Sequence, residues 1–239
     1  MKRTFEICLM EYIIEGIARA IELIFSLDKE IYGIVCRSVR FALTAVLLAS
    51  IVGVPVGFLI GSREFRGKPV VITLLNTLMA LPTVVVGLLG YAFLSRRAPL
   101  GFVDLIFTPS AVILGEFFLS LPVIVNLTVS AVQAVEKRAF LTAQTLGAGQ
   151  WMVAWTVLME ARFALLAAII AGFGRAVSEV GSAMMLGGNI RYFTRTMTTA
   201  IALEVSKGEF GFGLALGFFL LFVAFSINIL FHYLQVKGR

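Results

Sequence analysis

The sequence predicts an all-α integral membrane protein: a single domain over residues 1–239 with about five spanning helices and an N-terminal amphipathic helix. Three observations carry that prediction. Apolar residues make up 59% of the chain and charged residues only 14%, whereas soluble domains run near a quarter charged, about 25%. Uncharged runs reach the ~20 residues that a spanning helix needs, and they recur along the chain. No stretch is both polar enough and long enough to form a separate soluble domain.

Residues 4–26 open the chain as an amphipathic rather than a spanning segment. Phe5, Leu9, Ile13, Ile17, Ile21 and Ile24 recur at helical spacing, with Glu11, Glu15, Arg19 and Glu22 on another face. That charge load suits the membrane interface, and Glu15 with Arg19 is the expected i, i+4 pair. It also interrupts the apolar core that a cleaved signal peptide requires. The first span is expected over 38–60, where Gly53, Gly57 and Gly61 make a stripe for close helix approach and Pro55 bends the helix. The second covers 69–95 with Pro82 near its middle, and the third 105–131, interrupted by Glu116 and Pro122. Proline at membrane depth points to bent helices around a cavity, where neighbours satisfy the freed carbonyls. A polar, Gly-punctuated insert over 136–160 must then sit in water at one face. The fourth span is expected over 163–186, followed by a polar loop with a short helical piece over 189–209, and the fifth over 210–231.

Several function classes drop out. GSREFRGK at 61–68 has five residues between its glycines where a phosphate-binding loop has four, and Pro69 stands where Ser or Thr would hold magnesium. ATP chemistry is therefore not expected on this chain. The net charge of +6 comes from basic residues that flank apolar runs, which indicates headgroup anchoring rather than nucleic-acid binding. Cys8 and Cys36 form no metal or redox pattern, and no metal site is expected. With the insert and the C-terminal tail on the cytoplasmic side, the short loops there carry Arg63, Arg66, Lys68, Lys137, Arg138 and Arg162. The opposite loops carry Arg96, Arg97, Arg191, Arg195 and Lys207, so basic charge does not choose the orientation.

Ionisable residues inside spans mark function or a partner helix. Arg175 and Glu179 stand at i, i+4 in the fourth span, with Ser178 and Ser182 one turn apart. Two readings stand side by side: a gate on an anion path, or an ion pair at a subunit interface. Glu179 beside Arg175 is expected to be neutralised by it rather than to touch an anion. Glu116 is expected either to line the path or to bond a neighbouring helix or the loop near Arg191. Arg191 and Arg195 are expected to steer an anion at the outer mouth or to snorkel to headgroups.

Five spans with a polar helical insert between the third and fourth resemble the core of a type I ATP-binding-cassette importer permease. In that family the insert holds a loop motif, EAA followed by Gly and a terminal Leu-Pro. Here Ala143 takes the second alanine and Gly147 the glycine. Leu141 and Thr142 replace the first two residues, and Met159-Glu160 the last pair. The strings GRAVSEVGSAMMLGGNI at 174–190 and TRTMTTAIALEVSKGEF at 194–210 are similar to the permeases of tungstate importers. NTLMALPTVVVGLLGY at 76–91 and DKEIYGI at 28–34 fit the same group. The related molybdate permeases share the Arg, Ser-Glu and Gly of the first string.

The resemblance implies a multi-pass protein of the cell (inner or plasma) membrane with a cytoplasmic C-terminus. It pairs with a second copy around a path, takes two ATPase subunits on its cytoplasmic face and receives an oxyanion from an external substrate-binding protein. Ala143, Thr145, Leu146, Gly147 and Gln150 are the implied coupling helix. ATP and magnesium belong to the partner ATPase, so the chain itself has no catalytic residue and no cofactor. The alternatives are a permease for molybdate or another small oxyanion, or an ATP-independent anion transporter. The latter would show inverted repeats, and none is visible. A membrane scaffold would need neither the polar insert nor the intramembrane charges.

Overall fold

The computed structural model describes residues 2–26, 28–98, 100–135 and 149–237, and these form ten α-helices and one 3-10 turn. Asp28 starts the longest helix: its Oδ1 accepts the backbone N–H groups of Glu30 and Ile31, at 2.8 and 3.1 Å. Helix α1 (Lys2–Phe25) precedes it, and α2 (Lys29–Ser62) follows for 34 residues. At ~1.5 Å per residue α2 is about 50 Å long, so its charged first turns stand outside a ~30 Å hydrocarbon core. Pro55 lies within the helix and does not end it.

The expected second span is in fact two helices, α3 (Lys68–Met79) and α4 (Thr83–Leu94), 12 residues each and bent by 94°. Pro82 lacks an amide hydrogen and disfavours helix at Leu81, so the helix ends where the sequence suggested only a bend. Each half is ~18 Å long, too short to cross alone. Helix α5 (Pro109–Ala134) starts four residues later than expected: Thr108 Oγ1 caps it and Pro109 fills its first turn. Pro122 sits inside α5 without breaking it.

Helices α6 (Gln150–Glu160) and α7 (Arg162–Val177) meet at 73°. The expected fourth span is also interrupted. Helix α7 stops at Val177, and a separate seven-residue helix, α8 (Gly181–Gly187), begins after Val180. Helix α9 (Met197–Ser206) is the short helical piece foreseen in the 189–209 loop, started by a Thr196–Thr199 capping box. Helix α10 (Phe210–Lys237) closes the fold. Three helices, α2, α5 and the first part of α10, are long and apolar enough to cross a membrane, and the bent pairs α3–α4 and α6–α7 raise the number to five.

α5 is the central helix. Its apolar window is far more buried than those of α2 and α10. Gly53, Gly57 and Gly61 of α2 face Ile124, Thr128 and Val132 of α5, so the two helices run parallel. Gly172 of α7 lies against Ile124 and Ser120, and ten residues on Ser182 lies against Gly115, so the chain along α7 runs antiparallel to α5. The N-termini of α2 and α5 and the C-terminus of α7 therefore share one end of the bundle. The C-terminus of α5, at Val135, lies at the other.

Helix α1 meets the bundle along one side, where Ala20, Leu23 and Ile24 join the core cluster. Gly16 packs on Phe210 and Gly211 on Arg19, while Ile14, Ile17 and Ile21 stay exposed. Small residues make the contact because backbones must approach closely, and the isoleucine face is left outward. Arg19 pairs with Glu22 at 3.1 Å, one turn on, instead of with Glu15.

A Cβ at Gly57 would stand 2.6 Å from Thr128 Cβ and 2.8 Å from the Val125 carbonyl oxygen. Gly57→Val is therefore expected to destabilise the protein by about 1–3 kcal/mol through overpacking, read as an earlier unfolding transition in detergent. Gly217→Ala meets nothing within 4 Å and should leave that transition unchanged.

Candidate translocation gate

The two helix breaks meet inside the bundle. A Cβ on Gly181, just past the second break, would lie 2.7 Å from Thr83 Oγ1 and 3.1 Å from Val84 N, just past the first. Gly87 of α4 faces Ser182 and Met185, Gly90 faces Leu186, and Gly115 of α5 faces Ser182 and Leu186. Helix α8 is thus wedged between α4 and α5, and glycines supply the room on both sides.

Glu179 organises the junction. It is almost fully buried, with Oε1 accepting the Ser182 N–H at 2.9 Å and so capping α8. Oε2 lies 3.5 Å from Arg175 Nη1, and the Glu179 backbone carbonyl accepts the Thr198 hydroxyl. One residue therefore ties α7, α8 and α9 together. A negative group is favourable at a helix N-terminus, where the amide groups have no helical partner. From α9 the chain of bonds continues to α2, because Met197 N–H donates to Ser38 Oγ at 2.6 Å. Ser38 Oγ in turn donates to the Ile34 carbonyl at 3.0 Å.

The five residues expected at a path or gate divide in two. Ser178 is exposed and Arg175 part-exposed, and the Ser178 hydroxyl donates back to the Gly174 and Arg175 carbonyls. Glu179, Ser182 and Glu116 are buried behind them. Glu116 Oε2 and Ser182 Oγ have no hydrogen-bond partner among the described residues. Glu116 does not reach toward the Arg191 loop, which is engaged elsewhere. Its carboxyl is buried within the bundle, one residue after the Gly115 contact with α8.

Arg191 and Arg195 stand at the end of the bundle where α2 begins, both in ion pairs. Arg191 donates twice to Glu30 of α2, at 2.7 and 2.5 Å. Arg195 lies 3.6 Å from Glu30 and 3.4 Å from Glu204, and Lys207 is 3.0 Å from Glu204. The Glu30 hydrogen bonds raise the Arg191 pKa above its ordinary value. Together with Phe212 these five residues line a cleft of about 220 Å³. Two carboxylates among three cations weaken the positive field that either arginine alone would project.

Sequence reasoning missed Thr198, Ser38 and the pair Asn76–Asn126. Asn126 Nδ2 donates to Asn76 Oδ1 at 2.7 Å, joining α5 to α3 close to the first break. The available signal for the asparagine pair was an amide side chain inside each of two apolar runs, 69–95 and 105–131. Of the expected coupling residues, Ala143, Thr145, Leu146 and Gly147 lie outside the described residues, and Gln150 is described only as the first residue of α6.

The family model described as the binding-protein-dependent transport system inner membrane component matches residues 53–237. The chain belongs to this family. Two tungstate uptake system permease proteins are similar to this inner membrane component over nearly the whole of both chains. That of Peptoclostridium acidaminophilum is 39% identical over 226 residues, 95% of this chain and 99% of its own. That of Campylobacter jejuni is 38% identical over 235 residues, 98% and 97%. A molybdenum transport system permease protein of Azotobacter vinelandii is 32% identical over 177 residues, 71% and 78%. The family's transport role and the apolar helices make this a multi-pass membrane permease and not an enzyme.

Glu179→Ala removes the α8 cap and leaves a buried N–H without an acceptor, which costs about 1–3 kcal/mol. Glu179→Gln keeps an oxygen for the Ser182 amide. Thermal unfolding of the purified protein is expected to fall clearly for the alanine variant and by less for the glutamine variant.

Proposed function

We propose that this chain is the permease subunit of an ATP-driven tungstate importer. The single observation that carries the reading is the near-full-length similarity to two tungstate uptake permeases. The meeting of two broken helices supports it physically, because discontinuous helices in transporters place backbone polar groups where a solute passes. Two copies of the chain enclose the path, with the Arg175–Ser178 surface of each turned toward it. Glu179, Ser182 and Glu116 hold the gate in shape from behind.

An external substrate-binding protein delivers the anion at the end that carries Glu30, Arg191 and Arg195. Two ATPase subunits, which hold the ATP and magnesium, dock on the segment 136–148 at the other end. That end is cytoplasmic in this reading, and the C-terminus of α10 lies there with it. Ala143, Thr145 and Leu146 stand on the coupling helix, and Gly147 ends it in a turn close to the ATPase groove; Gln150, beyond the extended Gly149, belongs to α6. At the outer mouth Arg191 and Arg195 steer the anion only when a conformational change loosens their pairs with Glu30 and Glu204. A second reading, molybdate as the main cargo, is favoured by the molybdenum permease relative. Tungstate and molybdate share charge and shape, so the external binding protein supplies most of the discrimination.

Uptake by the reconstituted complex, with molybdate and sulfate as competitors, tests the reading. Tungstate uptake that requires ATP and survives excess sulfate is expected, and uptake without ATP would reject it. Gly147→Leu should leave membrane insertion intact and ATP hydrolysis running while uptake falls at least tenfold. Such a loss corresponds to about 1.4 kcal/mol or more of coupling free energy. Normal uptake in that variant would remove the coupling assignment.

A further inference from the structure

Helix α6 presents a face that neither the gate nor the coupling segment uses. Both tryptophans of the chain stand on it. Trp151 is 86% exposed and Trp155 59%, and Met159 continues the same stripe one turn on. Met152 lies beside them, also exposed. The next stripe around the helix ends in polar Thr156 and Glu160, both exposed. The third holds Val153, Val157 and Ala161, all buried. The surface of α6 is thus divided three ways, with one side apolar and outward, one polar and outward, and one packed on protein.

The orientation of α6 matches that division. Helix α7 runs antiparallel to the central span α5, and α6 meets it at 73°. A helix at that angle to a crossing helix lies nearly along the membrane surface. It lies at the C-terminal end of α5, and Arg162 at the junction sits over the Phe163 ring at 4.8 Å. Leu166 on α7, just past the junction, is exposed as well. Tryptophan favours the boundary between headgroups and acyl chains, where its ring is buried and its N–H stays wet.

We propose that α6 is an interfacial anchor that seats Trp151, Trp155 and Met159 in the bilayer leaflet on the coupling side. The occupant of this face is lipid, because the stripe has no charge, carries both tryptophans, borders an exposed polar stripe and lies on a helix steeply bent from the one it enters. This goes beyond the transport reading and stands whichever anion is carried. Anchored there, α6 holds the entry of α7 at a fixed depth.

Because α6 holds both tryptophans, the fluorescence of the full chain in lipid nanodiscs reports on this helix alone. Trp151→Phe and Trp155→Phe, which keep an aromatic ring, isolate each signal in turn. The expected result is that lipid brominated high on its acyl chain removes most of the emission of each variant, while aqueous iodide removes little. Adding the cognate ATPase subunits should not restore the lipid-quenched emission. Quenching by iodide and not by lipid would overturn the proposal, because the face would then be in water. Protection from both quenchers would overturn it too, because a second copy of the chain would then cover the face. Relief of lipid quenching when the ATPase binds would assign the face to that partner instead.

Discussion

The buried carboxylate of Glu179 is the constraint on which the junction of α7, α8 and α9 depends. A carboxylate removed from water must find donors, and here they come from different helices: the Ser182 amide of α8 and the Arg175 guanidinium of α7. The Glu179 backbone takes a third, from Thr198 of α9. Satisfying that one residue fixes where α7 stops, where α8 starts and how α9 leans on both. The arrangement extends through Met197 and Ser38 to the first long helix, so the interior of the bundle is tied by few but buried hydrogen bonds.

Around that polar thread the helices associate by shape. In lipid there is little hydrophobic force between apolar helices, so close backbone approach and dispersion must hold them. The residues at the contacts follow from this: Gly53, Gly57 and Gly61 against α5, Gly172 against the same helix, and Gly87, Gly90 and Gly115 around α8. Helix α8 is short and flanked by glycines on both neighbours. It sits where the two broken helices touch.

Charge is concentrated at one end of the bundle and balanced there. Glu30, from the start of α2, pairs with arginines that follow α8, and Glu204 pairs with Arg195 and Lys207. These contacts join the first long helix to the loop between α8 and α9. The loop that carries the cations is therefore positioned by the same bundle that carries the gate.

Much of this was legible in the sequence. Hydropathy is a property of each residue, and a bilayer forces every apolar run to hydrogen-bond its own backbone, so the all-helical class and the apolar segments could be read without a neighbour. The glycine stripe of α2 and the cap preferences at Asp28 and Thr108 are local signals of the same kind. Pro82 announced a perturbation, but whether a proline bends a helix, as Pro55 and Pro122 allow, or ends it depends on which groups receive the freed carbonyls. The second break, at Ser178–Val180, had no proline to mark it and exists because Glu179 found partners on α8 and α9. Ser38 meets Met197 across 159 residues and Glu30 meets Arg191 across 161. Composition and spacing determined what kind of chain this is. Only the tertiary structure decided which polar groups meet, because that choice is made by distances between segments far apart along the chain.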